Sequence, residues 1–204
     1  MYKVFVENLP VIFTQNSENY PHSLIIEASK VQDINTIVRI NSSFITDSNP
    51  LLIRCVHLEH DFNRIFQDYQ RVIAAGGMVI KDLEVLLIRK NGFLDLPKGF
   101  VDQGEDLGDC AYREIAEECG IQGHQMEYKL METIHTYVYE DKPVLKVSHW
   151  FLFHYYGTGV TVPQYDEGIT EAVWMSRGEL DAALTACYAS IREVLECFAR
   201  DAKN

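Results

Sequence analysis

Residues 99–121, GFVDQGEDLGDCAYREIAEECGI, begin as glycine-punctuated loop and end in a run of carboxylates. Asp106 is a residue type that caps a helix by accepting an early backbone N–H, and Gly120 is the type that closes one in the left-handed conformation. A helix from about residue 106 to 119 is therefore predicted. At about 100° per residue, Glu114, Glu117 and Glu118 share one arc of that helix. Ala111, Tyr112, Ile115 and Cys119 fall on another arc and are expected to pack on the core. Carboxylates at i, i+3 and i+4 repel by roughly a few tenths of a kcal/mol per pair. Two of the three also face the negative end of the helix dipole. A solvated acidic face would produce the same EIAEE run. A helix built against its own stability points instead to a compensating cation, and hard oxygen ligands in this number suit Mg²⁺ or Mn²⁺.

The wider pattern decides between the two readings. The stretch resembles the Nudix box, G-x5-E-x7-R-E-U-x-E-E-x-G-U with U aliphatic. Gly99, Glu105, Arg113, Glu114, Ile115, Glu117, Glu118, Gly120 and Ile121 fill every defined position. The resemblance implies a loop–helix–loop on a mixed-sheet α/β/α sandwich (MutT-like). It also implies hydrolysis of a nucleoside diphosphate linked to another moiety, with Mg²⁺ or Mn²⁺ as cofactor. By similarity Glu117 and Glu118 are the main metal ligands, the Gly99 carbonyl is a further one, and Glu114 is a ligand or the general base. Arg113 and Glu105 resemble the ion pair that pins the loop to the helix, and Ile115 and Ile121 are expected in the core.

The resemblance covers residues 71–204. AAGGMVI at 74–80 resembles the first strand of that fold, and LIRK at 87–90 the strand that brings a phosphate-facing Arg89. LPKG at 96–99 sets Lys98 beside the metal loop, and DEGITEAVWM at 166–175 resembles a segment that supplies a further metal-binding or base carboxylate, here Glu167. Many relatives with LPKG carry Trp where this chain has Leu94, so no aromatic stacking is implied there.

Residues 1–70 carry no chemistry-bearing motif and read as a small α/β domain. Aromatic and β-branched residues at 2–6 and 11–14 flank Asn8-Leu9-Pro10, a hairpin pattern. Short apolar runs at 24–27 and 51–56 read as strands. Residues 31–41 and 60–70 show helical spacing, with Asp61 placed to cap the second. Past residue 71, strands are expected at 72–80, 84–88, 131–139, 144–156 and 171–175. A C-terminal helix is expected from Ser176, where Glu179 completes a capping-box pattern, with spacing through Leu184, Ile191, Val194, Leu195 and Phe198. The expected organisation is thus a domain at 1–70 and a hydrolase domain at 71–204, both α/β.

Composition narrows the partners. The 204 residues carry a formal charge of −12, so bulk electrostatics will not hold the chain on nucleic acid or an anionic membrane. An anionic substrate must be held locally, by a metal ion or a few placed cations. Five cysteines without CxxC spacing argue against a disulfide framework and suit a reducing compartment. With no signal-peptide pattern and no apolar run of membrane-spanning length, the expectation is a cytoplasmic protein.

Substrate choice is less legible. His135, Tyr137 and Tyr139 share a face of one predicted strand, and a tyrosine there resembles the position some dinucleoside-polyphosphate hydrolases set against a base; a partly buried strand aromatic would look the same. LPKG followed by EGITE resembles members acting on diadenosine or diphosphoinositol polyphosphates, and the latter need more cations than this chain shows. The expectation is a (di)nucleoside polyphosphate. ADP-ribose or a nucleotide sugar is the alternative, although no proline stands just after the box; Pro143 falls too late. A non-catalytic nucleotide sensor is the other reading, against which the intact carboxylate set argues. A regulatory, partner-binding or homodimerising role for residues 1–70 stays open.

Overall fold

In the computed structural model, which describes residues 1–201, Glu7 and Asn8 both take positive φ (52° and 63°). Two such residues make the tight turn whose twist matches a hairpin. The turn joins β1 (Tyr2–Val6) to β2 (Leu9–Thr14), so the chain reverses one residue earlier than the Asn8-Leu9-Pro10 pattern predicts, and Pro10 lies inside β2 opposite Phe5. A short β3 (Ile25–Glu27), α1 (Ile34–Ile40), β4 (Leu51–Arg54) and α2 (Leu58–Ile65) follow. Strand β4 pairs in parallel with both β2 and β3. Asp33 caps α1 through the N–H groups of Asn35 and Thr36. Helix α2 begins before Asp61, and Asp61 reaches back to accept the N–H groups of Val56 and His57. Phe13, Phe62 and Phe66 meet at 4.9–5.6 Å between ring centroids, at the centre of a core with Val4, Leu51 and Ile53.

The chain divides into two compact units. The first is not residues 1–70 alone: it comprises Met1–Val72 together with Ile134–Val147. Those later residues are the outer ends of two long strands, β9 (Gln125–Tyr139) and β10 (Lys142–His154). They are joined by another two-residue positive-φ turn, Glu140 and Asp141. Within the first unit β9 runs parallel to β1 at Val4–Ile134 and Phe5–His135, and Leu145 joins its core.

The second unit comprises Ile73–Thr133 and the chain from Ser148 onward. Its strands are β5 (Gln70–Lys81), β6 (Glu84–Lys90), the short β7 (Phe93–Asp95) and β8 (Lys98–Phe100), the inner parts of β9 and β10, and β11 (Ile169–Ser176). The order across the sheet is β11-β6-β5-β10-β9, with β7 on β6 and β8 on β5. Alternate residues feed two cores. Ala75, Val79, Leu86, Ile88 and Phe153 meet Cys110, Ala111, Ile115 and Cys119 of α3 (Leu107–Cys119). Met78, Ile80, Val85, Leu87, Trp150 and Leu152 meet Ile191, Val194 and Leu195 on the other face. The second unit is therefore an α/β/α sandwich. The C-terminal helical stretch breaks in two, α4 (Arg177–Ala183) and α5 (Ala189–Asp201), and the Ser176–Glu179 capping box opens α4. The side chain of Phe198 lies outside the described set. No helix among the described residues is long and apolar enough to cross a membrane.

Candidate active site

Helix α3 starts where Asp106 accepts the Gly108 N–H (2.7 Å) and stops at Gly120, whose φ of 70° is left-handed. Cys110, Ala111, Ile115 and Cys119 are fully buried. Burying Ile115 alone contributes roughly 2–3 kcal/mol, which outweighs the few tenths per carboxylate pair on the opposite arc. Packing holds the acidic face in place. Tyr112 departs from the expected core arc: it is 40% exposed, stacks on buried His124 with centroids 4.0 Å apart, and its hydroxyl accepts the Gly123 N–H.

The loop before α3 is held by pairing of β8 with β5, Gly99 opposite Ala75 and Lys98 opposite Gly76. A Cβ on Gly99 would collide with the Glu114 carboxylate, so only glycine lets the loop lie against the helix there. The Lys98 backbone N–H donates to Glu118 Oε2 at 2.7 Å. Arg113 ties the other side: Nε and Nη2 bond the two Glu105 oxygens at 2.8 and 2.9 Å, and Nη2 donates to the Phe100 carbonyl. Its Nη1 meets Glu114 at 2.6 Å and Glu117 at 3.1 Å. The Arg113 hydrogen bond to Glu105, aided by the Asp102 N–H, holds that carboxyl down at about 2.

Four carboxylates approach one another. Glu118 is 1% exposed, and burial pushes it up to about 7 against the pull of Lys98 and Lys90. Burial also raises Glu114, despite Arg113 beside it, and the charges of Glu117 and Glu167 push in the same direction. Glu167 comes from a short turn at Tyr165–Glu167, closed by left-handed Gly168. Lys90 Nζ lies 3.1 Å from Glu167 Oε2 and 3.5 Å from Glu118 Oε1. Among the described residues no three His, Cys, Asp or Glu side chains are already drawn into a shared coordination sphere. Their charge is met directly by Arg113 and Lys90, and Lys98 acts on Glu118 from its contact with Asp95. The donor chemistry fits a hard divalent cation: carboxylate oxygens at a partly desolvated cluster, two of them on residues under 10% exposed.

Of the remaining expected site residues, Lys98, Arg89 and Tyr137 have partners of their own. The Lys98 ammonium is not free beside the loop: it bonds Asp95 Oδ2 at 2.6 Å. Burial would lower Lys98, but Asp95 and then Glu118 more than offset this and hold it above its ordinary value. Arg89 bonds Glu171 at 2.9 Å and lies on the strand face of Val85 and Leu87, opposite the face of Leu86 and Ile88 that α3 covers. Tyr137 and Tyr139 fall in the first compact unit, where Tyr137 neighbours His135. Sequence reasoning missed Lys90 and Asp95. Period-two alternation was the available signal for Lys90, which shares its face with Leu86 and Ile88.

Residues 70–196 match the family model described as NUDIX domain. Among curated proteins the chain is similar to MutT4 of Mycobacterium tuberculosis, 30% identical over 135 residues (60% of this chain, 52% of that protein). It is also similar to the NAD-capped RNA hydrolase NudC of Photobacterium profundum, 30% identical over 110 residues (51% of this chain, 37% of that protein). The chain thus spans about half or less of the curated relatives it matches. Among solved structures, an Ap4A hydrolase of C. elegans aligns with a TM-score of 0.51 at 24% identity, covering 65% of this chain and 98% of that one. The E. coli dihydroneopterin triphosphate pyrophosphohydrolase aligns at 0.54 with 17% identity, again over 65% and 98%. These structural likenesses speak for the fold.

Proposed function

The chain belongs to the NUDIX family, and on that premise we propose that it is a divalent-metal-dependent pyrophosphohydrolase. Its substrate is a nucleoside diphosphate joined to another moiety, a (di)nucleoside polyphosphate first among them. The observation that carries the reading is Glu118, a carboxylate 1% exposed, fixed by the Lys98 N–H and set among Glu114, Glu117 and Glu167. Burying a carboxylate without a full counter-charge is costly, so such a group marks a site that exists to hold a cation.

Glu117, Glu118 and the Gly99 carbonyl are the proposed metal ligands, with Glu167 a further one and Glu114 a ligand or the general base. A bound Mg²⁺ or Mn²⁺ would neutralise phosphoryl oxygens and acidify a coordinated water. The chain's own part is positional. Gly99 lets the loop approach, Lys98 orients Glu118 through its backbone, and Arg113 keeps Glu105, Glu114 and the loop carbonyl of Phe100 in register. A protein of net charge −12 can then take a polyanion, because the attraction is local.

The test is a panel of nucleoside polyphosphates, dinucleoside polyphosphates, ADP-ribose, nucleotide sugars and NAD-capped RNA with Mg²⁺ or Mn²⁺, products separated by chromatography. One member should be cleaved at a phosphoanhydride bond. Saturable binding across the panel with no turnover would replace the enzyme reading with a sensor.

A further inference from the structure

Lys90 is a cation that the 99–121 stretch does not supply, and unlike Lys98, whose ammonium is held by Asp95, its ammonium meets the cluster directly. It stands at the end of β6, where it pairs with Ile169 at the start of β11. That pairing brings it beside the Tyr165–Glu167 turn. It continues the face of Leu86 and Ile88, so its ammonium emerges on the α3 side of the sheet. There Nζ spans two carboxylates from separate elements, 3.1 Å from Glu167 and 3.5 Å from Glu118. The side chain is 29% exposed, enough for the ammonium to leave toward solvent without disturbing the core. Among the described residues the Lys98 N–H holds one Glu118 oxygen and the Lys90 ammonium stands 3.5 Å from the other, while the Lys98 ammonium, held by Asp95, acts on Glu118 through its charge.

We infer that Lys90 is a tethered counter-ion that competes with a divalent metal for Glu118 and Glu167, and so sets the metal affinity of the site. This rests on the metal-dependent reading above. In the metal-free protein the ammonium offsets part of the pair's negative charge and keeps Glu167 drawn toward Glu118. A divalent ion must displace it, and its affinity is lowered by the contact it displaces. Arg89, one residue earlier, supplies an internal comparison, because it carries the same charge on the opposite face and is held by Glu171.

Mn²⁺ binding to the full chain, followed by the loss of the free-ion electron paramagnetic resonance signal, reads this without turnover. Lys90→Met should tighten Mn²⁺ binding roughly 5- to 50-fold, the size of a typical coupling between two sites. Lys90→Gln should do the same, guarding against a folding defect peculiar to one variant. Lys90→Arg should restore affinity close to that of the unaltered protein, and Arg89→Met should change it by less than about twofold, since that charge lies on the opposite sheet face and is already paired with Glu171. Unchanged or weaker binding in both Lys90→Met and Lys90→Gln, or equal tightening by Arg89→Met, would overturn the inference while leaving the metal site standing. Absence of saturable Mn²⁺ binding in the unaltered protein would remove the metal reading and this inference together.

Discussion

At the scale of single residues, the acidic helix separates into parts with different physical burdens. Glu105 bears a structural one: the Arg113 fork holds its carboxyl at about 2, well below the usual carboxylate range. A group depressed in the folded state contributes stability above its unfolded value and loses it as pH falls through the folded value. Glu105→Gln should therefore cost about 1–3 kcal/mol near neutral pH, the range for hydrogen bonds to charged groups. Thermal melting should show the gap between the two proteins narrowing from about pH 5 toward pH 2. Gly99 bears a steric burden. Gly99→Ala drives a methyl into the Glu114 carboxylate, and a displacement of about 1 Å at a reacting group can cost about 10²-fold in rate. That loss should appear in kcat with little change in melting temperature.

The acidic residues of the helix were legible because their relation is local; i, i+3 and i+4 need no knowledge of the rest of the fold. Lys90 was not, because its role depends on which sheet face α3 covers. Lys98 was placed beside the loop by sequence, but its ammonium turns to Asp95 three residues back, an i, i+3 contact that a loop sequence does not announce. Tyr112 shows the opposite limit. The helical arc put it with Ile115 and Cys119, yet a stack on His124, twelve residues on, holds it at the surface.

At the scale of elements, the strands and helices follow period-two and helical patterning closely, and their ends follow turn chemistry. Glu7–Asn8 and Glu140–Asp141 each take positive φ at two successive non-glycine residues, so these tight hairpins lack the glycine that usually marks them. Sequence patterning consequently predicts longer loops at both. Helix α3 was legible at both ends because its caps are of standard type. Asp106→Ala should lower stability by about 1 kcal/mol through loss of the bond to the Gly108 N–H. Gly120→Ala should cost at least about 1 kcal/mol, since the left-handed φ of 70° is joined by a clash with Val162. Denaturant titration of each variant measures both.

At the scale of the whole molecule, the expected boundary at residue 70 captures only part of the first compact unit. That unit also takes Ile134–Val147, a segment read from sequence simply as two long strands of the second domain. Nothing local in those strands reveals that Leu145 packs with Val4 and Phe13, since a sequence-distant partner leaves no periodic trace. A consequence follows for truncation. A chain beginning at Arg71 retains Ile134 and Leu145 but loses the core they pack in, so it should bind hydrophobic dyes and self-associate in light scattering. A monomeric, dye-silent truncated chain would contradict the dependence of Ile134–Val147 on the core of residues 1–70.

The central claim is that buried carboxylates on α3 hold a divalent ion that cleaves a phosphoanhydride. The most direct measurement is hydrolysis of the best substrate from the nucleotide panel by the unaltered protein and by Glu118→Gln, each with Mg²⁺ and with excess chelator. Turnover should require the metal, return when it is restored, and fall by about 10²-fold or more in Glu118→Gln while melting temperature stays close to that of the unaltered protein. Turnover that survives the chelator, or a folded Glu118→Gln protein at full rate, would contradict the account.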